Sequence, residues 1–242
     1  MTWSIVSRDE KIGHFGIAVS TCAFAVGARV PFIATGVGAI ASQAFVNPFY
    51  GYRGLELLRA GASAEDMIRI VTKADEGRGQ RQVHAVDRKG LFAAYTGDGW
   101  VPWCGHLVRD TFSVAGNMLA GPEVIEATAE VFATSQHLPL AQRFIAALKA
   151  GEAAGGDKRG KESAAILIHD DEEYPYIDIR VDDHPDPLAE LARLEEVGRG
   201  RYLHYRKFMP SRHDPAGITD RDELERRIAE SMIAEEKENA SA

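Results

Sequence analysis

The chain has 242 residues, of which 45% are hydrophobic and 26% charged, and this composition is typical of a globular protein with one main domain. Its 36 acidic residues against 28 basic ones give a net charge of −8, which argues against nucleic acid as a partner because phosphates require a positive field. The start MTWSIVSRDEKIGHF lacks the apolar stretch of a signal peptide, and the chain has no run of about 18 apolar residues that could span a membrane. Because two cysteines are also too few for a disulfide framework, we expect a cytoplasmic protein with no membrane partner.

The first elements are predicted to be strands, because apolar residues recur there at every second position. A polar turn at 8–13 separates the first two strands into a hairpin. Residues 30–35 and 37–46 form the next two predicted strands, with a bend at Gly36. The apolar residues that define the hairpin are Trp3, Ile5, Phe15, Ile17 and Val19.

Helical spacing follows over residues 52–60 and again after Ser63, a residue type that caps helix N-termini by accepting a backbone N–H bond. The second helix is expected to bury one apolar face. That face consists of Met67, Ile70, Val71 and Ala74. Strands are predicted to return at 82–87, 91–96 and 112–117.

The second half repeats this order of elements. Pro122 is expected at the first position of a helix, and apolar residues from Leu140 onward predict another. Residues 163–169 and 174–181 indicate a final pair of strands, after which Asp186 is expected to cap one more helix. Strands and helices in separate blocks predict an α+β fold with two stacked, mostly antiparallel sheets and helices outside them.

The end of the chain differs in composition from the rest. After residue 218, charged residues dominate, and an apolar stripe with four-residue spacing predicts a solvated helix that docks on a neighbour or on a second subunit. A frayed tail is equally consistent with this composition. The stripe contains Leu224, Ile228 and Met232. We therefore expect a main domain over 1–197, a charged and partly helical extension over 198–242, and a candidate homodimer.

Thr2 is the residue whose chemistry is most unusual. The chain has no G-x-S-x-G, H-E-x-x-H, Walker or paired C-x-x-C motif. A threonine is small enough for Met1 to be removed before it, which leaves a hydroxyl and a free α-amine on one residue. An α-amine has a pKa of about 7.7–8, so near neutral pH it can take the hydroxyl proton. Many ordinary proteins also begin Met-Thr, so the position alone does not establish catalysis.

Six segments carry a family resemblance: TWSIVSRD, SQAFVNPFYGYRGLELLRAG, AYTGDGW, GNMLAGPEV, AGGDKRGKESAAIL and RVDDHPDPLAEL. Together they resemble the DUF1028 family over residues 2–194, most of the chain. That family is grouped with the N-terminal-nucleophile (Ntn) hydrolases. The resemblance implies a four-layer αββα sandwich, which the order of elements predicts as well. Members of the family have largely lacked an assigned substrate, so the resemblance implies a fold more than a reaction.

The resemblance also implies a catalytic set. In Ntn hydrolases the first residue of the mature chain is the nucleophile, which implies Thr2 once Met1 is removed. Proteasome-like relatives place an acid and a serine near the terminal amine, and Asp157 and Ser163 occupy the corresponding stretch. An acid there stabilises the developing ammonium. The ordinary explanation is that Asp157 belongs to a solvated turn and that Ser163 caps a strand.

Contacts for the oxyanion are implied in the same way. Such relatives have a loop between a strand and a helix whose backbone N–H binds the oxyanion, which implies the segment containing Gln43 and Ala44. Asn117, at the end of a strand before a helix, is a candidate contact for substrate or oxyanion. Gln43 and Asn117 can equally satisfy buried polar groups. Proteasome-like relatives also carry a basic residue on their third strand, and Arg29 matches that position only loosely.

Other clusters with chemical potential are expected to be structural. Residues 169–173 and 182–184 offer hard oxygen ligands, but their turn context predicts solvated loops, so no metal site is expected. Cys104 and His106 could form a catalytic pair, yet Pro102 and Trp103 indicate a local loop. Aromatic residues and one arginine line either a pocket or the core. They are Phe45, Phe49, Tyr50, Tyr52 and Arg53.

These considerations lead to three functional hypotheses. In the first, the protein hydrolyses an amide bond of a small molecule or short peptide through Thr2, and it needs no metal or organic cofactor. In the second, it is a binding or scaffolding protein that keeps the sandwich without catalysis and tolerates Met1. In the third, Cys104 and His106 face a pocket of their own, away from Thr2.

Overall fold

The computed structural model describes residues 2–9, 12–99, 103–157 and 159–241. The chain divides into two compact units, Met1–Ala192 and Arg193–Ala242. Within the described ranges no helix is both long enough and apolar enough to cross a membrane.

Two antiparallel sheets form the centre of the first unit. Their strands are β1 (Thr2–Arg8), β2 (Phe15–Thr21), β3 (Pro31–Ala34), β4 (Gly38–Ala44), β5 (Arg81–Asp87), β6 (Phe92–Thr96), β7 (Trp103–Val108), β8 (Phe112–Leu119), β9 (Ser163–His169) and β10 (Ile177–Val181). Sheet A has the order β10-β9-β2-β1-β8-β7, and sheet B has the order β3-β4-β5-β6. Every neighbouring pair of strands is antiparallel.

The helices of the described chain are α1 (Pro48–Arg59), α2 (Ala64–Lys73), α3 (Glu123–Thr134), α4 (Leu140–Ala153), α5 (Pro187–Val197), α6 (Leu203–Arg206) and α7 (Arg221–Ser241). The first four cover the outer faces of the two sheets. α1 and α2 pack on sheet B, whereas α3 and α4 pack on sheet A. This arrangement is the αββα sandwich that the sequence predicts.

β1 lies in the middle of sheet A and is buried on both faces. Its side chains alternate between those faces, as in any strand. Val6 joins the apolar cluster between the sheets, whose sheet B members include Ala41 and Val86. Trp3 lies on the other face against Gly151 of α4. The first strand is therefore held from both sides, and the position of Thr2 at its start is fixed with it.

Most local predictions are confirmed, because they rest on short-range capping and periodicity. The Ser63 side chain accepts the N–H of Asp66 at the start of α2, and Asp186 accepts that of Ala189 in the first turn of α5. The segregated order of strands and helices is also as predicted. In α7 the apolar stripe is its most buried side: Ile228 is buried, and Leu224 and Met232 are partly buried.

Several boundaries differ from the predictions. The segment around Cys104, expected as a loop, is strand β7, because it pairs with β8 along the edge of sheet A; Pro102 lies outside the described residues. α1 begins at Pro48 rather than at residue 52, because the Asn47 side chain caps it. Pro122 caps α3 rather than opening it. Ile70 and Ala74, expected on the apolar face of α2, are exposed, whereas Met67 and Val71 are buried together with Ile68.

We expect Gly51→Ala in α1 to destabilise the first unit. A β-carbon at Gly51 would lie 2.3 Å from the ring of Phe32 on β3, so either the helix or the partly exposed ring would have to shift. Such overpacking costs about 1–3 kcal/mol, which equals or exceeds the roughly 1 kcal/mol gained in helix propensity. Urea unfolding followed by circular dichroism measures the difference. Gly200→Ala is the control, because its β-carbon would meet no atom within 4 Å; equal midpoints for the two variants would contradict the expected clash.

Candidate functional site

Polar side chains form a row across sheet A at the end where β1 begins. In order across β7, β8, β1, β2 and β9, the row consists of Cys104, Asn117, Thr2, Thr21 and Ser163. Residues directly opposite each other in antiparallel strands share one face of the sheet. Ser4, two positions after Thr2, contacts Gln43 of sheet B, so the row faces the space between the sheets.

A second row of polar side chains faces the first from sheet B. Gln43, Gln82 and Thr96 are in register across β4, β5 and β6. The two rows are joined by a hydrogen bond of 3.0 Å from Asn117 Nδ2 to Gln82 Oε1. Gln43 Nε2 donates to the same oxygen at 2.7 Å. One end of the sandwich is therefore filled by hydrogen-bonded polar groups instead of the apolar side chains found elsewhere between the sheets.

Thr2 is held within this layer by its side chain and its backbone. Its hydroxyl shares a hydrogen bond of 3.1 Å with that of Thr21, and its main-chain carbonyl accepts a bond of 3.3 Å from Asn117 Nδ2. Thr2 is 8% exposed. The state of its α-amine depends on Met1, which lies outside the described residues.

Asp157 lies at the same end of sheet A as Thr2. Its backbone forms a bridge with Leu119 beside β8, and its carboxylate accepts the N–H of Cys22 at 3.3 Å, one residue beyond Thr21. Although Arg159 pairs with it at 3.3 Å, the Asp157 side chain is only 1% exposed, so it is a buried carboxylate and not a solvated turn residue. Burial raises the pKa of the Cys22 thiol, and the hydrogen bond and charge of Asp157 raise it further.

Ser163 belongs to the row, but its hydroxyl is engaged by a loop. It donates to the carbonyl of Ala23 at 2.5 Å and accepts the N–H of Val26 at 3.1 Å. These bonds hold the turn that follows β2. They match the structural explanation for this serine, and neither of them reaches Thr2.

The segment implied as an oxyanion loop has two distinct parts. The Gln43 side chain points between the sheets and joins the second polar row. Ala44, at the end of β4, has a left-handed backbone with φ of 75°. On either side of these two residues, the N–H groups of Ser42 and Phe45 donate to main-chain carbonyls of Val30 and Gln80.

Left-handed backbone at non-glycine residues is concentrated around this end of the sandwich. In the part of the chain that the structure describes, three such residues occur: Ala25, Ala44 and Met118, with φ of 54°, 75° and 56°. They follow the end of β2, end β4 and follow Asn117, respectively. Each costs roughly 1–2 kcal/mol, and strain of this kind concentrates at functional sites.

A buried histidine continues the polar layer away from Thr2. His84 Nε2 lies 2.8 Å from Ser4 Oγ, and its Nδ1 lies 2.8 Å from Ser113 Oγ. Burial, with a smaller contribution from nearby His106, lowers the pKa of His84 to about 3, so the ring is neutral. His84, Gln82 and Thr21 were not among the site residues predicted from the sequence. The sequence does place Gln82 and His84 on one face of a predicted strand, but the same pattern is typical of a face exposed to solvent.

Cys104 and His106 lie on the same face of β7 and are bonded to separate partners. The Cys104 thiol points to the carbonyl of Gly97 at 3.9 Å, and His106 Nδ1 shares a hydrogen bond of 2.8 Å with the hydroxyl of Thr96. Burial raises the pKa of the thiol and lowers that of the imidazole. Both shifts oppose the thiolate–imidazolium pair that a catalytic cysteine needs. Cys104 also belongs to the row that contains Thr2, whereas the third hypothesis requires it to lie away from Thr2.

The remaining clusters singled out in the sequence have structural partners. His169 Nδ1 shares a hydrogen bond of 3.0 Å with the Thr35 hydroxyl, and His184 Nδ1 accepts the N–H of Asp186 at 3.0 Å. Arg29, just before β3, donates to the main-chain carbonyl of Phe24. Over residues 2–9, 12–99, 103–157 and 159–241, no group of three or more His, Cys, Asp or Glu side chains is arranged to hold a metal ion.

Two large cavities lie away from Thr2. One of about 740 Å³ lies between α1 and α2 and is lined by Phe49, Tyr50 and Arg53 among others. The other, of about 690 Å³, runs along α3 and the turn between β7 and β8. Three of the five residues expected to line a pocket therefore do so, on the helical layer outside sheet B.

The chain matches one family model, and its fold is similar to that of a solved structure. Residues 2–191 match the model of a family of unknown function, DUF1028. The crystal structure of protein SPO2555 from Silicibacter pomeroyi, also assigned to DUF1028, is 34% identical with a TM-score of 0.84 over 90% of this chain and 99% of that one. Anbu (ancestral beta-subunit) from Yersinia bercovieri is 13% identical with a TM-score of 0.38 over 81% of this chain and 94% of that one. Among curated proteins there is no match.

The neutral state of His84 predicts a specific dependence of stability on pH. Its folded-state pKa of about 3 lies below the usual value of 6.5, so the unfolded chain takes up the proton first and stability falls as the pH drops below about 6.5. Between pH 6.5 and 5 the free energy of unfolding of the wild type should fall by about 1–2 kcal/mol more than that of His84→Gln, since both chains share all other titrating groups. Urea unfolding at both pH values measures this difference. Equal losses in the two proteins would show that His84 is not held neutral.

Proposed function

The chain belongs to the DUF1028 family, whose function is unknown, and from this premise we propose that it is an N-terminal-nucleophile hydrolase that cleaves an amide bond through Thr2. The observation that carries the proposal is the environment of Thr2 at the start of the central strand. Its hydroxyl is bonded to Thr21, its carbonyl is held by Asn117, and its side chain faces the space between the sheets. A rigid strand suits a nucleophile, because small displacements of the attacking atom from its position strongly reduce the rate of the chemical step.

The reaction uses the two functional groups of Thr2 after Met1 has been removed. The α-amine takes the proton of Oγ1 while Oγ1 forms a bond to the amide carbon, and the carbonyl electrons move to oxygen. When the tetrahedral intermediate collapses, the C–N bond breaks and the ammonium proton passes to the leaving nitrogen. Water then attacks the Thr2 ester with the α-amine as base, which releases the acid and restores the hydroxyl.

Neighbouring groups support individual steps of this reaction. The carboxylate of Asp157 contributes a negative charge at the same end of sheet A, which favours the ammonium that forms at Thr2, while Arg159 moderates that charge. The left-handed backbone at Ala44 supports a specialised role for the segment implied as the oxyanion loop. Ser163 is assigned to the loop after β2, because its hydroxyl is engaged there.

The proposed substrate is a small molecule or a short peptide. Thr2 is 8% exposed, so a compact amide fits the site better than a folded protein does. The candidate homodimer would involve α7, where Ile233 is 51% exposed next to the buried stripe.

A second candidate is a binding protein that keeps the sandwich without catalysis. The observation in its favour is that the cavities of about 690 and 740 Å³ lie on the outer helical layers and not at Thr2. A binding protein of this kind would be indifferent to the chemistry of residue 2. Substitution of the hydroxyl therefore separates the two candidates.

We expect Thr2→Ala to lower amide hydrolysis at least about 10³-fold, because the nucleophile is lost, whereas Thr2→Ser keeps a measurable fraction of the rate. The assay follows a panel of acyl p-nitroanilides with protein whose N-terminus has been verified by mass spectrometry. Cys104→Ser is the matched control, since it removes a nucleophilic atom from the same row and should leave the rate within about twofold. If Cys104→Ser were the damaging variant, or if Thr2→Ala were as active as the wild type, the proposed role of Thr2 would be wrong.

A further inference from the structure

The orientation of the Gln82 side-chain amide is set by the main chain. Its Nε2 lies 3.0 Å from the carbonyl oxygen of Gly105 and 2.9 Å from that of Gly116. Because a carbonyl oxygen can only accept, the atom facing it must be the NH₂ group. Gln82 Oε1 therefore points the opposite way, and this assignment depends on no other side chain.

This orientation fixes the two amides that face Gln82. Gln82 Oε1 accepts from Gln43 Nε2 at 2.7 Å and from Asn117 Nδ2 at 3.0 Å, so both partners must present their NH₂ groups to it. Asn117 Nδ2 also donates to the Thr2 carbonyl at 3.3 Å. Its two N–H groups are then both engaged, and the remaining hydrogen-bonding atom of that amide, Oδ1, can only accept.

The hydrogen bonds beyond Gln43 are consistent with these amide orientations. With its NH₂ on Gln82, Gln43 has Oε1 turned to Ser4, whose hydroxyl donates at 2.5 Å. Ser4 Oγ must then accept from His84 Nε2–H, and Nδ1 of the neutral ring accepts from the Ser113 hydroxyl. Each donor in this buried chain meets an acceptor, so reversing one amide would leave buried groups unpaired at a cost of about 1–3 kcal/mol each.

We propose that Gln82 is a positioning residue that holds Asn117 with its nitrogen on the Thr2 carbonyl and its oxygen Oδ1 available to the Thr2 α-ammonium. Covalent geometry places the nitrogen of a residue about 3 Å from its own carbonyl oxygen, so Asn117 Nδ2, which lies 3.3 Å from the Thr2 carbonyl oxygen, is within roughly 6 Å of the α-amine. The inference rests on the proposed function, in which Thr2 is N-terminal. It replaces the oxyanion role expected for Asn117, since an oxyanion would have to displace one of two existing bonds.

Other ionisable groups at this end of the sandwich also influence the pKa of the Thr2 α-amine. The buried thiols of Cys22 and Cys104 have raised pKa values, and the imidazoles of His84 and His106 have lowered ones, so all four are neutral near pH 7. The ion pair of Asp157 with Arg159 also lies at this end of sheet A. The wild type and its variants share these groups, so a difference in the pKa of the α-amine reports the change at residue 117 or 82.

The test measures the pKa of the Thr2 α-amine directly, without a substrate. Met1 is removed enzymatically from the full-length chain, acetic anhydride labels the amine at a series of pH values, and mass spectrometry of the N-terminal peptide gives the labelled fraction. Asn117→Asp places a carboxylate where Oδ1 stands, and the α-amine pKa should rise by about one unit or more. Gln82→Met releases the Asn117 amide, so the pKa should fall below that of the wild type.

Ser163→Ala is the matched control, because this hydroxyl lies in the same polar row but bonds the loop carbonyl of Ala23. It should leave the pKa of the α-amine unchanged. A pKa in Asn117→Asp equal to that of the wild type overturns the inference, even if Gln82→Met fails to fold. Loss of amide hydrolysis in Asn117→Asp without a change in that pKa also overturns it, in favour of the oxyanion role. Failure of the hydrolase proposal is recognised separately, by an active Thr2→Ala variant.

Discussion

The register of β1 between β2 and β8 is the constraint on which the rest of the site depends. It sets Thr2 opposite Thr21 and Asn117, all facing sheet B. A slip of one residue would turn Thr2 toward the helices and push Trp3 into the polar layer, since side chains alternate strictly along a strand. Trp3 packs against Gly151 of α4, where a β-carbon would lie 2.9 Å from the indole nitrogen. Close packing of Trp3 against α4 therefore fixes which side chains of β1, including Thr2, face the space between the sheets.

This register buries several polar side chains between the sheets, and their hydrogen bonds to one another make that burial compatible with a stable core. Buried amides and hydroxyls cost free energy unless each is paired, and a fully paired network is rigid. Gln82 is the centre of this network, because main-chain carbonyls orient it and it orients Gln43 and Asn117 in turn. Apolar residues between the sheets supply stability, whereas this layer supplies one fixed geometry around Thr2.

The sequence predicts the fold well, because its information is local. Caps such as Ser63 and Asp186 and the order of strands and helices can be read from neighbouring residues. The site is different, because Gln82 and His84 resemble the solvent face of a half-buried strand until a second sheet is known to cover them. Likewise, nothing local marks the Asp157 carboxylate as buried. Thr2 could be singled out from its chemistry and from the family resemblance, but its partners depend on tertiary pairing.

The most direct test of the central claim is the N-terminus of the untagged protein isolated from its natural source. Intact-mass analysis with N-terminal sequencing determines whether the chain begins at residue 1 or 2. The account predicts a chain that begins with Thr2, since only then does one residue carry both the nucleophile and its base. A chain that retains Met1 throughout would contradict the proposed mechanism and leave the sandwich as a binding protein.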